Sequence, residues 1–231
     1  MSPVTLSPIG VEALDDPATD PVLVARMLRD IARSNRWLGG VAAVRFGLGE
    51  LLQPSDRGRT VTLFDVGTGA ADLPVDAARW AARRGVRLVP IGLERIPVAA
   101  RMAQGAGVPV IIGCASALPL GPRTVDIVLI SQVAHHLDLA SAARLLSAAS
   151  ASARRGVIVA DLRPAWYAAA GFRLAGAAMG FHRTTLADGV TSLRRGYTVP
   201  QLRALCVGAG ATGVTVVARP GARIVAWWRA D

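Results

Sequence analysis

Three groups of residues in this chain carry types and spacings that could do chemistry. The densest spans residues 60–72. There an apolar, β-branched run ends on Asp65, turns through Gly67, Thr68 and Gly69, and passes into a helix-forming stretch, 70–84. A strand that stops in an acid and two glycines and turns straight into a helix brings bare backbone N–H groups against a ligand. The second group closes another apolar run, 86–93, with Glu94 and then Arg95. Strand, glycine turn, helix, strand, acid is the order of an adenosine-type cofactor site at the carboxyl edge of a parallel sheet. The third group is the chain's three histidines. His135 and His136 follow the apolar run 124–131 by a few residues, and His182 ends the apolar stretch 165–181.

A dinucleotide fingerprint would place a third glycine where Asp72 stands, for close packing beside a pyrophosphate. Two carboxylates, Asp65 and Asp72, would repel that group. They suit a ligand without phosphate that carries positive charge, and S-adenosylmethionine fits, with its ammonium, its sulfonium and a ribose diol for Glu94. Here the sequence resembles the class I S-adenosylmethionine-dependent methyltransferases, whose Asp-Val-Gly-x-Gly-x-Gly signature matches Asp65 to Ala71, with Ala71 in place of the third glycine. Residues 111–120 resemble the family's loop beside the adenine, 124–131 its fourth strand and 156–162 its fifth. Cys114 occupies the slot where that loop usually carries Asp. A thiol is a weak acceptor, so the adenine contact is expected from Ala115 or the Ser116 hydroxyl.

The resemblance implies a set of roles. Asp65, Gly67, Thr68 and Gly69 would meet the methionine end of the cofactor, and Glu94 the ribose. Arg95, Ala115 and Ser116 would line the adenine pocket, and Ser131 and Gln132 would present backbone near the methionyl group. Asp72 would bind through water or cap the following helix. The Asn35-Arg36-Trp37 turn resembles an amino-terminal lid, or is an ordinary helical connection. Methyl transfer is an in-line displacement helped most by alignment and exclusion of water. For a phenol or enol oxygen a base helps, and an imidazole suits that task. The catalytic candidates are therefore His135 and His136, with His182 behind them, against the alternative that the pair only packs or caps the next helix. No metal ligand set is called for.

Behind these residues the pattern alternates: strand 61–66, helix 71–84, strand 86–93, helix 97–105, strands 108–112 and 125–130, helix 139–152, strand 156–161. That spacing implies an α/β, Rossmann-like doubly wound parallel sheet. Thr198-x-x-Gln201 opens another helix as a capping box. Two strands, 214–219 and 223–228, then flank Pro220-Gly221-Ala222, a link too short for anything but an antiparallel hairpin. Residues 22–52 read as two helices, the first carrying an apolar stripe at Val24, Met27, Leu28 and Ile31. The organisation is thus an arm and helical lid over 1–57, its first twenty residues loose, and a core over 58–231 with a cover insertion at about 163–196.

The chain has 231 residues, 52% hydrophobic and 18% charged, as suits a sheet buried on two faces. No run of about 18 apolar residues occurs, so no membrane span is expected, although peripheral contact stays open. The amino terminus lacks a signal-peptide pattern, and the two cysteines read as a reduced pair, which together point to the cytoplasm. The net charge of +10 invites a nucleic-acid partner. Yet all 26 basic residues are Arg, which with abundant Ala and Gly is what GC-rich coding produces. Arg83-Arg84 and Arg154-Arg155 also fall at expected helix ends, where cations complement the helix dipole. The lack of an Asn-Pro-Pro-Tyr-type motif after the fourth strand counts against a nucleic-acid base as acceptor. The amino-terminal helices with Asn35-Arg36-Trp37-Leu38-Gly39-Gly40, together with the apolar cover, resemble small-molecule methyltransferases of bacterial secondary metabolism. That resemblance implies O-methylation of a small lipophilic phenol or polyketide. Carbon methylation of a quinone precursor comes second, an RNA methyltransferase or a non-catalytic adenosine-binding protein after that. Monomer and homodimer both remain open.

Overall fold

In the computed structural model, which describes residues 12–230, seven strands form one sheet in the order β3-β2-β1-β4-β5-β7-β6. The strands are β1 (Thr60–Val66), β2 (Arg87–Glu94), β3 (Val110–Ile112), β4 (Val125–Ser131), β5 (Ala153–Leu162), β6 (Thr215–Arg219) and β7 (Arg223–Arg229). The first five pair in parallel, while β7 runs antiparallel to both β5 and β6. The expected doubly wound sheet with a carboxyl-terminal antiparallel hairpin is what the chain forms.

The period-two alternation of the central strands divides the core into two layers. Leu63, Leu129 and Ile158 face one side, where they pack with Val44, Leu48, Leu73 and Trp80. Phe64, Val128 and Val157 face the other, against Leu145, Leu146, Leu202 and Cys206. The eight helices of the described residues are α1 (Pro21–Trp37), α2 (Gly40–Leu51), α3 (Asp72–Ala82), α4 (Pro97–Gly105), α5 (Leu139–Ser152), α6 (Ala168–Ala178), α7 (Arg183–Arg195) and α8 (Val199–Gly208). The amino-terminal helices do different jobs. Helix α2 belongs to a core layer, where a Cβ on Gly47 would stand 2.6 Å from Ile158 Cγ2. Helix α1 instead lends Met27, Leu28, Ile31 and Asn35 to the wall of the main cavity.

Three expectations need correcting. Of the arm expected to be loose, residues 1–11 lie outside the described residues, but 12–15 are docked. Glu12 is buried and accepts hydrogen bonds from Ser192 and Arg195, and Ala13 N–H donates to Asp188. Arg154 and Arg155 lie in β5, not at a helix end, because that strand starts early to pair Ala153 with Val125. Arg154 donates to Thr124 O and Arg155 pairs with Asp56. His182 is the amino-terminal cap of α7, its Nδ1 accepting from Thr184 N–H, and it takes no part in the cavity wall.

Candidate active site

The parallel strands end along one edge, and a cavity of about 630 Å³ opens there. Acids sit at or one residue before the ends of three of these strands: Glu94 on β2, Asp65 on β1 and Asp161 on β5. Neighbouring strands lie about 4.8 Å apart, so these carboxylates span roughly 14 Å of sheet edge. The cavity wall includes Asp65, Gly67, Thr68, Gly69, Glu94, Arg95, Ala115, Ser131, Gln132, His135 and His136. Of the site residues expected from sequence, Ser116 and the lesser candidate His182 are off the wall, and Ser116 is the one expected beside the cofactor. It is exposed, and its hydroxyl and N–H serve the Cys114 sulfur.

The glycine turn is held from within. Gly67 has φ +67°, and a Cβ there would meet Val133 Cγ2 at 2.5 Å, so only glycine fits both torsion and space. Thr68 Oγ1–H donates to Asp65 Oδ2 at 2.8 Å. Glu94 accepts the N–H groups of Gly69, Arg95 and Ile96, which ties the turn to the end of β2. Ala71, in the slot of the third glycine, adopts a left-handed φ of 62°. Asp72 opens α3, bonding its own first-turn N–H groups and the Asn35 amide, which in turn accepts from Gln132. Ala71 holds the cap position of α3 and Asp72 its first turn, and the Asn35 turn is wired to both sides of the cavity. Arg95 turns outward, its guanidinium on Leu14 O and Asp15.

Asp65 has a partner for one oxygen only. Its Oδ1 is buried with no hydrogen-bond donor. Burial pushes its pKa up to about 7 against the Thr68 hydroxyl, and the charges of Asp72 and Glu94 push the same way. A buried acceptor among other acids fits a cationic donor, such as the ammonium of an amino-acid group.

Next along the edge, the turn after β4 carries His135 in a short 3-10 helix, Ala134–His136. Asp161 Oδ1 accepts from its Nδ1–H at 2.6 Å, and the other carboxylate oxygen from its backbone N–H. Burial would raise Asp161, but the His135 imidazole and the Leu162 N–H outweigh it and hold the carboxyl below its ordinary value. An ionised carboxylate only accepts, so Nδ1 carries a proton, and it is the neutral form of the ring that holds its lone pair on Nε2. That Nε2 is buried and without a partner. Tyr197 fixes the same turn by donating to Ala134 O at 2.8 Å.

His136 stacks on His135 with ring centroids 4.2 Å apart and meets Asp15 at 3.1 Å. Burial opposes its charge, but Asp15 and Glu12 raise its pKa nonetheless. Glu12, His135 and His136 bring ligand-type atoms within 4.8 Å of one another, yet Arg195 already stands 3.2 Å from Glu12. A cation is thus built into that corner by the chain itself. Arg223, fully buried, lies near Asp72 and Asp161; burial pushes it down to about 10. Sequence reasoning missed Asp161, Arg223, Glu12 and Asp188. Asp161 had a signal, since it closes an apolar run as Asp65 and Glu94 do.

Compared by sequence, the chain matches no protein-family model and no curated protein. Compared by fold, it is similar to many solved methyltransferases. An O-methyltransferase family protein from Burkholderia thailandensis matches at TM-score 0.64 with 14% identity, over 95% of this chain and 63% of that one. Human N-acetylserotonin methyltransferase in complex with S-adenosylmethionine matches at TM-score 0.61 with 13% identity, over 91% and 56%. A S-adenosylmethionine-dependent methyltransferase from Aquifex aeolicus matches at 0.56 with 16% identity, over 92% and 99%. The chain therefore spans nearly all of one neighbour and about three fifths of the other two. Its fold is that of the class I S-adenosylmethionine-dependent methyltransferases.

Proposed function

We propose that this protein is a S-adenosylmethionine-dependent methyltransferase that methylates an ionisable oxygen, phenol or enol, on a small lipophilic acceptor. The observation that carries this reading is the pair of unpartnered buried atoms on one cavity wall, Asp65 Oδ1 and His135 Nε2. One asks for a cationic donor and the other for an acidic proton. The cofactor would supply an electrophilic methyl group on a sulfonium. Asp65 would hold its ammonium, Glu94 would keep the glycine turn in place while meeting the ribose, and Gly67 and Gly69 would let backbone approach closely. His135 Nε2 would take the proton from the acceptor hydroxyl as that oxygen becomes nucleophilic, and Asp161 would stabilise the resulting imidazolium without taking the proton itself.

The cover supports an apolar acceptor. Tyr167, Ala168, Phe172 and Leu193 from the β5–α7 segment line the cavity together with Met27 and Ile31 of α1, so water is kept from the transfer. Calorimetric titration with S-adenosylmethionine and its demethylated product tests the first half of the reading. Transfer of labelled methyl to a panel of alkylphenols tests the second. Binding without transfer to any hydroxylated acceptor would overturn the enzymatic assignment, and label recovered in RNA would redirect it.

A further inference from the structure

Helix α6 is a thin wall with two apolar faces. One face, with Ala168, Gly171 and Phe172, lines the cavity. The opposite face, with Ala170, Leu174 and Ala177, is exposed and holds a single charge, Arg173. At the start of this wall Trp166 is 95% exposed and packs edge-on against Tyr167, while Leu174 is 76% exposed. A surface helix normally turns polar residues outward, so an outward Trp-Leu face over a lipophilic chamber asks for something to cover it. Charge names the occupant. The local charge is positive: Arg173 stands exposed on that face, and exposed Arg194 borders the same shallow depression as Trp166.

We propose that the Trp166–α6 face docks on an anionic phospholipid bilayer, with Trp166 and Leu174 in the headgroup–acyl boundary and Arg173 and Arg194 on lipid phosphates. Amphipathic aromatic rings prefer that boundary, and arginines near the surface add electrostatic attraction. Docking there sets the wall of the acceptor chamber against the phase in which a lipophilic acceptor dissolves. The proposal deepens the lipophilic-acceptor reading, but vesicle binding needs neither cofactor nor methyl transfer, so each can fail alone.

Co-sedimentation of the full chain with phosphatidylcholine vesicles, with and without phosphatidylglycerol, tests it. The protein should pellet with the mixed vesicles and release as salt is raised. Arg173→Gln should weaken partition into the anionic vesicles about fivefold. Trp166→Ala combined with Leu174→Ser should weaken it at least about tenfold, with thermal unfolding and cofactor binding unchanged because neither side chain supports the core. Wild-type protein left in the supernatant, or equal pelleting of the double variant, overturns the proposal. So does a dimer in sedimentation velocity that Leu174→Ser dissolves, since the covering surface is then a second copy.

Discussion

Asp65 and Asp161 are both buried carboxylates at the ends of central strands on the same sheet edge, yet they are finished to different degrees. Asp161 is complete: the His135 imidazole, the His135 backbone N–H and the Leu162 N–H satisfy it, and its carboxyl is held below its ordinary value. Asp65 has one hydroxyl and two neighbouring acids, and burial pushes its pKa up to about 7. A strand-end acid bonded by its own chain acts through another residue. Under the proposed function, the one left short of a donor is the one that takes the ligand. Each region can be broken separately, and the effects should differ in kind as well as in size.

The largest effect belongs to the Asp161 region and falls on turnover. His135→Ala should lower kcat by about 10²- to 10⁴-fold and leave the cofactor Kd nearly unchanged, measured by calorimetry beside methyl-transfer assays. Asp161→Asn should lower kcat by a smaller factor of the same sign with KM little moved, because it misorients the imidazole rather than removing it. Unaltered turnover in His135→Ala would remove the base from the mechanism.

The Asp65 region should answer in binding and in pH dependence. The unfolded chain releases this proton near pH 3.9, whereas the folded protein holds it until about pH 7. Between those values the folded state binds more protons, so this group lowers stability as pH rises from about 4 to 7. Asp65→Asn abolishes that loss. The ligand-free variant should therefore gain on wild type across this window, by up to about 4 kcal/mol at neutral pH, in urea unfolding. It should also bind S-adenosylmethionine about 10- to 100-fold more weakly. Wild-type binding near pH 6.5 should release protons, seen as a buffer-dependent heat. Asp161 has the opposite sign: its carboxyl is held low, so its stabilisation is present above about pH 4 and is lost below it.

Much of the Asp65 region was legible in the sequence because it is local. Asp65, Gly67, Gly69 and Asp72 lie within eight residues, and Glu94 closes the next strand. The Asp161 region was half legible. His135 stood out by type, but its partner is 26 residues away, and only the adjacency of β4 and β5 brings the two together. Glu12 and Asp188 were further out of reach, since they join the first described turn to α7 across about 175 residues. Ser116 misled because the family's loop implied its position, while the side chain turned to Cys114.

A middle-sized effect is expected at Glu94. Its carboxylate accepts three backbone N–H groups that join the glycine turn to β2. Glu94→Gln replaces one acceptor oxygen by a donor, so at least one N–H loses its partner. A stability loss of about 1–3 kcal/mol and weaker cofactor binding should follow together. A loss of binding alone would mean that the turn holds its shape without Glu94.

The smallest effect probes whether the Asp65 region also stores backbone strain. Ala71 is buried with φ 62°, a torsion that costs an L-residue about 1–2 kcal/mol relative to glycine. Ala71→Gly relieves that cost. It also gives up a buried methyl, worth about 0.8 kcal/mol, and adds unfolded-state freedom worth roughly 0.5–1 kcal/mol. These terms nearly cancel, so the variant should unfold within about 0.5 kcal/mol of wild type. Ala77 supplies the control: it is equally buried but sits inside α3 in ordinary helical conformation. Ala77→Gly pays the methyl and the helix penalty with nothing returned, about 2 kcal/mol in all. The gap between the two urea midpoints measures the strain at the turn, and equal losses would mean that the left-handed alanine costs the Asp65 region nothing.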